Sequence, residues 1–458
     1  MVDQPIVTHR QRGLWGIALT AVIASLPAQS VDLDLRNFDA ARTRLADYRL
    51  PADDDFYLQL TLDGHATGEA TKGLISSANK DWLIAADVSG SWRWQAKAGN
   101  GHLTYAPTAK RQPLYDERPH SIGFGLSPQR REANLYFDGQ HVATYSTNGT
   151  SLNFDQGLTL HDDLQGRGRS LRIRLGTSKP TSLVGDSPST TPRELSVMAW
   201  NIWHGGRENG DRLGVEQVID IIRRSGADII CMQETYGSGP QIADALGYYF
   251  LLRSSNLSIM SRYPIIESLD RYRPFNFGGA TIQAGKLKLH VYSLWINHLP
   301  SLSAALAKPD CDAESLVAGE WKTRAKDMQL ILNSVEPALE NSDQEPVIIG
   351  GDFNSPSHLD WTAETADRDF HRGHVVQWPV SELCSEAGLI DGYRAVYADP
   401  KKSPGITWSP RFGETQRIDY VYHRGARLTP FAARVIKSHT SRFPSDHAAV
   451  LVQYRVTP

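Results

Sequence analysis

Near residue 177 the pattern of the chain changes, and that change limits the available folds more than any other feature. Before it, from about Asp32 to Leu175, polar and apolar residues alternate with a period of two, as in Phe56-Leu58-Leu60-Leu62, Ile122-Phe124-Leu126 and Leu171-Ile173-Leu175. Successive strand side chains point to opposite faces, so this pattern predicts strands with one buried face. Asp63-Gly64 and Asp138-Gly139 mark hairpin turns, since both dipeptides tolerate the positive φ of a two-residue loop. Helical periodicity is confined to a stretch around Ala40 to Tyr48. Short strands punctuated by turns predict an all-β sandwich over residues 30–176. Residues 177–194 are Ser, Thr, Pro, Gly and Asp with little apolar content and form a linker. Over residues 195–458, apolar runs (Leu195 to Trp200, Ile229 to Met232, Leu287 to Ile296, Val347 to Ile349) alternate with amphipathic helices. One helix is expected near Val215 to Arg224. A longer one is expected near Ala313 to Val335, with Met328, Ile331, Leu332 and Val335 spaced for burial. Strands alternating with helices define an α/β domain.

A chain of 458 residues is too long for one core. Its 40% hydrophobic and 22% charged content is that of a globular protein, and its net charge of −3 lacks the basic excess expected of a protein that grips nucleic acid by its backbone. His9, Arg10 and Arg12 precede an uncharged apolar run from Leu14 to Leu26, followed by Pro27, Ala28, Gln29 and Ser30. This is the pattern of a signal peptide over residues 1–28, cleaved after Ala28 or Ala24, and it predicts a secreted or periplasmic protein without a transmembrane anchor. An uncleaved N-terminal helix is the alternative. Cys231 reads as a buried strand thiol. Cys311 and Cys384 lie in polar segments and leave two states open, one disulfide or two free thiols.

Polar residues cluster just past the ends of the hydrophobic strands. Asn201 ends Met198-Ala199-Trp200-Asn201, Glu234 follows Cys231-Met232-Gln233, and His298 follows Trp295-Ile296-Asn297. Asp352 and Asn354 lie in Gly350-Gly351-Asp352-Phe353-Asn354, Asp419 in Arg417-Ile418-Asp419-Tyr420, and Asp446 and His447 after Phe443-Pro444-Ser445. Acids and amides are costly when buried unpaired, and strand ends are where folds carry chemistry. Gathered together they offer hard oxygen ligands and a titratable base, a set that suits Mg2+, Mn2+ or Ca2+ better than zinc.

In this order and at these spacings the segments resemble the endonuclease/exonuclease/phosphatase superfamily, the DNase I-like fold, across nearly all of Leu195 to Val456. The resemblance implies a four-layered α/β sandwich with its site at one edge of two packed sheets. It further implies that Glu234 is the principal metal ligand, assisted by Asn201 and Asp446. Asp352 and Asn354 would orient the attacking water and hold a phosphate oxygen. His447 would be the general base with Asp419 fixing its tautomer, and His298 would stabilise charge on the phosphoryl group. Thr407 and Trp408 match a family strand near the site; Thr407 would donate to phosphate, while Trp408 is either substrate-facing or core. His358, Asp360 and Trp361 line the pocket or belong to a solvated loop. His204 and Arg207, after the first strand, are candidates for further phosphate contacts, and Arg324 is expected in a structural ion pair. In the first domain, Arg118 to Ile122 and Asn134 to Gly139 resemble the strand-hairpin pattern of laminin-G and concanavalin-like jelly rolls. That resemblance implies glycan binding, with Trp82, Trp92 and Trp94 either stacking on sugars or filling the core.

The expected activity is therefore metal-dependent hydrolysis of a phosphomonoester or phosphodiester by water. No serine or cysteine sits in a nucleophile-elbow pattern. DNase-like members place an arginine just after the metal-binding glutamate, where this chain has Thr235-Tyr236-Gly237-Ser238-Gly239. A small organic phosphate, lipid head group or sugar phosphate is thus expected ahead of nucleic acid. The alternatives are an endonuclease, a sphingomyelinase- or phospholipase C-like enzyme, and a carbohydrate-binding protein with an inactive catalytic domain. The Cys311 loop and Phe275-Asn276-Phe277-Gly278-Gly279 are positioned as specificity elements.

Overall fold

The computed structural model describes residues 7–8, 18–19, 32–36, 38, 45–46, 48–64, 72–98, 101–147, 157–164, 168–180, 190–413 and 415–457. The chain divides into two compact units, Met1–Asp186 with Ala243–Gly247, and Ser187–Ile242 with Tyr248–Pro458. Most of the expected signal peptide, most of the Ala40 to Tyr48 stretch and residues 181–189 lie outside the described residues.

Among the described residues the first unit has a short 3-10 turn at Asp162–Leu164 and is otherwise built mainly of strands. They are β1 (Val7–Thr8), β2 (Ala18–Leu19), β3 (Leu33–Arg36), β4 (Phe56–Leu62), β5 (Lys72–Ser77), β6 (Trp82–Ala86), β7 (Trp92–Ala98), β8 (Gly101–Tyr105), β9 (His120–Ser127), β10 (Glu132–Phe137), β11 (Gln140–Ser146), β12 (Leu158–Leu160) and β13 (Gly168–Leu175). Within this unit one sheet runs β2-β1-β3-β13-β4-β9-β10-β11 and the other β12-β5-β6-β7-β8. Asp138 and Gly139, at φ 50° and 76°, turn the β10–β11 hairpin as expected. Asp63-Gly64 does not make a hairpin. It ends β4, whose neighbours are β13 and β9, and the chain passes on to the other sheet. Trp82 and Trp94 stack on Phe124 of the facing sheet at 6.3 and 5.6 Å, and Trp92 lies 5.1 Å from Tyr105. All three tryptophans are fully buried, so none is available to a sugar ring.

The second unit contains β14 (Glu194–Asn201), α1 (Leu213–Ser225), β15 (Ile229–Gln233), β16 (Tyr249–Leu252), β17 (Ser258–Ser261), β18 (Ile265–Leu269), β19 (Phe277–Ala284), β20 (Leu287–Trp295), α3 (Leu302–Leu306), α4 (Ala313–Trp321), α5 (Arg324–Glu340), β21 (Val347–Asp352), α6 (Pro379–Glu386), β22 (Ile390–Asp391), α7 (Gly392–Val396), β23 (Asp419–Arg424), β24 (Leu428–Ile436) and β25 (Ala449–Val456); α2 (Gly239–Leu246) joins β15 to β16. One sheet runs β16-β17-β15-β14-β25-β24 and the other β18-β19-β20-β21-β23-β22. The sheets pack face to face through Val197, Ala199, Cys231 and Val450 on one side and Val291 and Ile348 on the other. Gly350 sits at this seam. A Cβ there would lie 3.0 Å from both Cβ and Sγ of Cys231, so any larger residue would press the sheets apart and their closeness favours glycine. The far face of the second sheet, with Tyr292, Leu294 and Ile349, is covered by Met328 and Ile331 of α5 and Leu383 of α6. On the first sheet, Met198 and Trp200 are as buried as the seam residues, and α1 on the β14–β15 crossover buries Val215, Val218, Ile221 and Ile222.

The single long helix expected near Ala313 to Val335 is two helices. Thr323, at φ −137° and ψ −93°, breaks it, and Asp312 and Ser315 close a capping box on α4. Across the break, buried Glu320 and Arg324 pair at 2.5 Å and face the site loops described below. All three cysteines are free. Cys384 is buried behind the second sheet, and Cys311 packs beside Leu302, Leu316 and Trp361. Among the described residues no helix is long and apolar enough to cross a membrane.

Candidate active site

Strand direction brings the polar residues together. β14 and β15 are parallel with Asn201 opposite Gln233, so Asn201 and Glu234 leave the same edge, where antiparallel β25 begins just after Asp446 and His447. In the other sheet β20 and β21 are parallel with Trp295 opposite Asp352, and antiparallel β23 places Asp419 opposite Asp352. Both sheets thus deliver their functional ends to one edge. A cavity of about 420 Å³ opens there, lined by Asn201, Glu234, His298, Asp352, Asp446 and His447 among others.

His447 Nδ1 lies 2.9 Å from Asp419 Oδ2, and its Nε2 lies 3.7 Å from Asp352 Oδ2. Asn201 Nδ2 donates to Asp352 Oδ2 at 3.1 Å and to Glu234 Oε1 at 3.2 Å, bridging the sheets. Glu234 Oε2 accepts the His204 backbone N–H at 2.9 Å, and Asp352 Oδ1 accepts that of Asn354 at 3.0 Å. Ser445 Oγ donates to the Asn201 carbonyl and accepts the His447 N–H, and the Trp200 indole donates to the His447 carbonyl. Glu234 and Asn354, at φ 55° and 49°, hold left-handed conformations, as do Trp203 and His204 beside them at 55° and 47°. Such backbone strain persists where surrounding contacts over-determine it.

Burial alone would lower His447, but the carboxylates of Asp419 and Asp352 outweigh it and lift the group to about 10. Burial pushes Asp352 up to about 7 against the opposing pull of His447, and pushes Asp446 up to about 6 with Glu234 adding repulsion. Acids in this state are short of positive charge. Asp419 Oδ1 is moreover buried without a hydrogen-bond partner. Oxygen donors that repel one another around one cavity fit a divalent cation. Among the described residues, Asp352, Asp419 and His447 also have possible ligand atoms within 4.8 Å of one another, but Asp419 already engages the imidazole there. Asn201 turns its nitrogen to both carboxylates, while its oxygen accepts the Trp203 N–H at 3.0 Å. In this arrangement it acts as a bridge between acids.

The remaining expected residues divide. His298 is exposed on the cavity wall, and Trp408 lines it with its ring 4.7 Å from that of His447. Thr407 is fully buried, and its hydroxyl oxygen accepts the N–H groups of Ile418 and Asp419, so it holds Asp419 and does not face phosphate. His358 binds Ser381 Oγ at 2.7 Å, at the start of α6. Asp360 is buried between Arg394 and Arg417, and Trp361 stacks on His371 at 4.1 Å; these are structural places. His204 pairs with Glu208 at 2.7 Å, and exposed Arg207 donates to the Tyr236 carbonyl. Arg324 makes its ion pair and also donates to the carbonyls of His298 and Pro300, while Glu320 accepts from Ser355 Oγ. Sequence reasoning did not assign Ser445, Trp203 or Trp295, although each adjoins a motif it singled out.

An edge of paired sheets presenting acids, an amide and a carboxylate-held histidine makes a centre that fits a divalent cation and acid–base chemistry. Residues 198–447 match the Endonuclease/Exonuclease/phosphatase family, and the chain belongs to it. A protein of Caenorhabditis elegans named uncharacterized protein F14F9.5 is 26% identical over 297 residues, covering 58% of this chain and 92% of its own length. The structure is similar to that of TDP2 from C. elegans (17% identity, 57% of this chain and 75% of that one, TM-score 0.40). It is also similar to an endonuclease/exonuclease/phosphatase of Beutenbergia cavernae (20%, 58% and 72%, TM-score 0.39) and to an AP endonuclease of Archaeoglobus fulgidus (15%, 57% and 100%, TM-score 0.39).

Proposed function

We propose that the chain is an exported, divalent-metal-dependent phosphoesterase acting on a small organic phosphate or lipid head group. The reading is carried by His447, held at Nδ1 by Asp419, with Nε2 facing Asp352 in the cavity that Glu234 and Asp446 line. Glu234 and Asp446, with Asn201 beside them, would hold Mg2+, Mn2+ or Ca2+. That cation supplies positive charge that draws electron density from the phosphate oxygens and lowers the pKa of His447. His447 Nε2 takes the proton of the attacking water, and Asp419 keeps Nδ1 protonated and the ring in place. Asp352 orients the water, Asn354 fixes Asp352 through its backbone N–H, and His298 donates to a phosphate oxygen. The bond from phosphorus to the water oxygen forms and the ester bond to the leaving oxygen breaks; that oxygen takes a proton from solvent and departs as an alcohol, and His447 returns the proton it took to solvent.

The test is hydrolysis of bis-p-nitrophenyl phosphate and p-nitrophenyl phosphate after EDTA treatment and after adding back Mg2+, Mn2+ or Ca2+, beside Glu234→Ala and His447→Ala. Turnover that needs the cation and collapses in both variants supports the reading, and the faster substrate separates diesterase from monoesterase. Activity unaffected by EDTA or by either substitution sinks it. Cleavage of plasmid DNA ahead of both small esters would replace the small-molecule reading with an endonuclease. Export rests on the basic start and apolar run of residues 1–28, and is checked by N-terminal sequencing for a mature chain beginning after Ala28 or Ala24. The first unit reads as a jelly roll on its strand pattern, and its buried tryptophans lend a glycan no support.

A further inference from the structure

The cavity is walled by rings. Trp203 follows β14, Trp295 ends β20 and Trp408 precedes β23; all three line the cavity and are half-buried. By contrast Trp200 and Trp378, elsewhere in the same unit, are fully buried. At the rim, Phe412 meets Trp203 edge-on at 5.8 Å (85°) and lies 5.9 Å from Trp408. Phe275 meets Trp295 edge-on at 5.5 Å (88°). Phe412 is 56% exposed and Phe275 41%, so neither ring is needed to close the core. Trp203 is kept at the cavity by a left-handed backbone, φ 55°, with the Arg411 guanidinium 4.8 Å from its ring centre.

Apolar rings left partly in water beside polar catalytic groups recover hydration free energy when a ligand covers them. Flat rings from separate segments, already paired edge to face, offer a flat guest the offset or edge geometry that aromatic quadrupoles favour; an alkyl group gains no such term. We propose that the cavity selects phosphate esters whose non-leaving arm is an aromatic ring, seated against Trp203 and Phe412. This rests on the phosphoesterase reading, and names the substrate class of the same site.

The test compares kcat/KM for p-nitrophenyl phenyl phosphate, p-nitrophenyl cyclohexyl phosphate and p-nitrophenyl methyl phosphate in Mn2+, each divided by its hydroxide-catalysed rate. The leaving group is common to all three, so only the other arm varies. We expect the phenyl ester to lead the methyl ester by about tenfold and the cyclohexyl ester to lead it by no more than about twofold. Phe412→Ala removes an exposed ring and is expected to reduce the phenyl-over-methyl preference by about fivefold through KM, while Phe412→Tyr keeps it. Trp203→Ala should act in the same direction. Equal normalised rates for phenyl and methyl, a cyclohexyl ester matching phenyl, or a preference that survives Phe412→Ala would overturn the proposal while leaving the phosphoesterase reading intact. No turnover of any of the three overturns the proposal, and the phosphoesterase reading falls with it only if p-nitrophenyl phosphate is left intact as well.

Discussion

Asn201 donates to a carboxylate on each sheet, so its removal leaves Glu234 and Asp352 facing one another without their shared N–H. Asn201→Ala is expected to weaken Mn2+ binding by about 10- to 100-fold in calorimetry, the usual cost of losing a group that orients metal ligands. Asp419→Asn presents His447 with the wrong partner for its Nδ1–H. It should lower kcat by about 10²- to 10⁴-fold in steady-state kinetics while KM stays within about threefold. Much of this set was legible beforehand, because an acid or amide directly after a buried apolar strand has few structural reasons to be there. Thr407 shows the limit. Its motif gave its neighbourhood, but the direction of its hydroxyl, toward two backbone N–H groups, depends on the bridges that adjacent Trp408 makes to Gln416 and His447, which no local pattern encodes. His358 and Asp360 were misplaced for a similar reason, since their partners Ser381, Arg394 and Arg417 come from segments remote in sequence.

Between α4 and α5 the buried pair Glu320–Arg324 connects the helices to two site loops, through the carbonyls of His298 and Pro300 and through Ser355. Removing one partner strands the other charge in the interior. Glu320→Ala should therefore lower unfolding stability by about 3–5 kcal/mol in urea titrations, and the Glu320→Ala/Arg324→Met double variant should recover part of it. Arg324→Met alone frees the His298 loop and should lower kcat for the nitrophenyl esters. The apolar stripe of α5 was readable from its spacing. Its separation from α4 was not, because Lys322-Thr323 carries neither proline nor glycine and the break serves partners elsewhere in the fold. Asp63-Gly64 failed likewise: the dipeptide announces a turn but not which sheet the next strand will join.

Across the whole molecule, acid should act through histidines held neutral. Burial holds His371 and His423 down to about 4, and Nδ1 of each is buried without a partner. The unfolded chain protonates both below about pH 6.5, the folded chain only near 4, so their stabilising contribution is full above about 6.5 and falls as the pH drops. The loss is on the order of 1–2 kcal/mol each by pH 5, and the fall in urea midpoint between pH 7 and 5 should shrink in His371→Gln and His423→Gln. Raised Asp352 and Asp446 act in the opposite sense, and the comparison with these variants subtracts them. At this scale the sequence conveyed the α/β character of the second unit and its layered burial, but not how closely its sheets approach. That spacing is set where Gly350, two residues before Asp352, meets Cys231. Asn201, Glu234, Asp446 and His447 belong to one sheet, Asp352 and Asp419 to the other. The missing methyl of Gly350 thus serves as a thickness gauge for the catalytic gap. Gly350→Ala would act as a shim, prising acid from base at the edge by a few tenths of an ångström, a fraction of the roughly 1 Å misplacement that can cost about a hundredfold in rate.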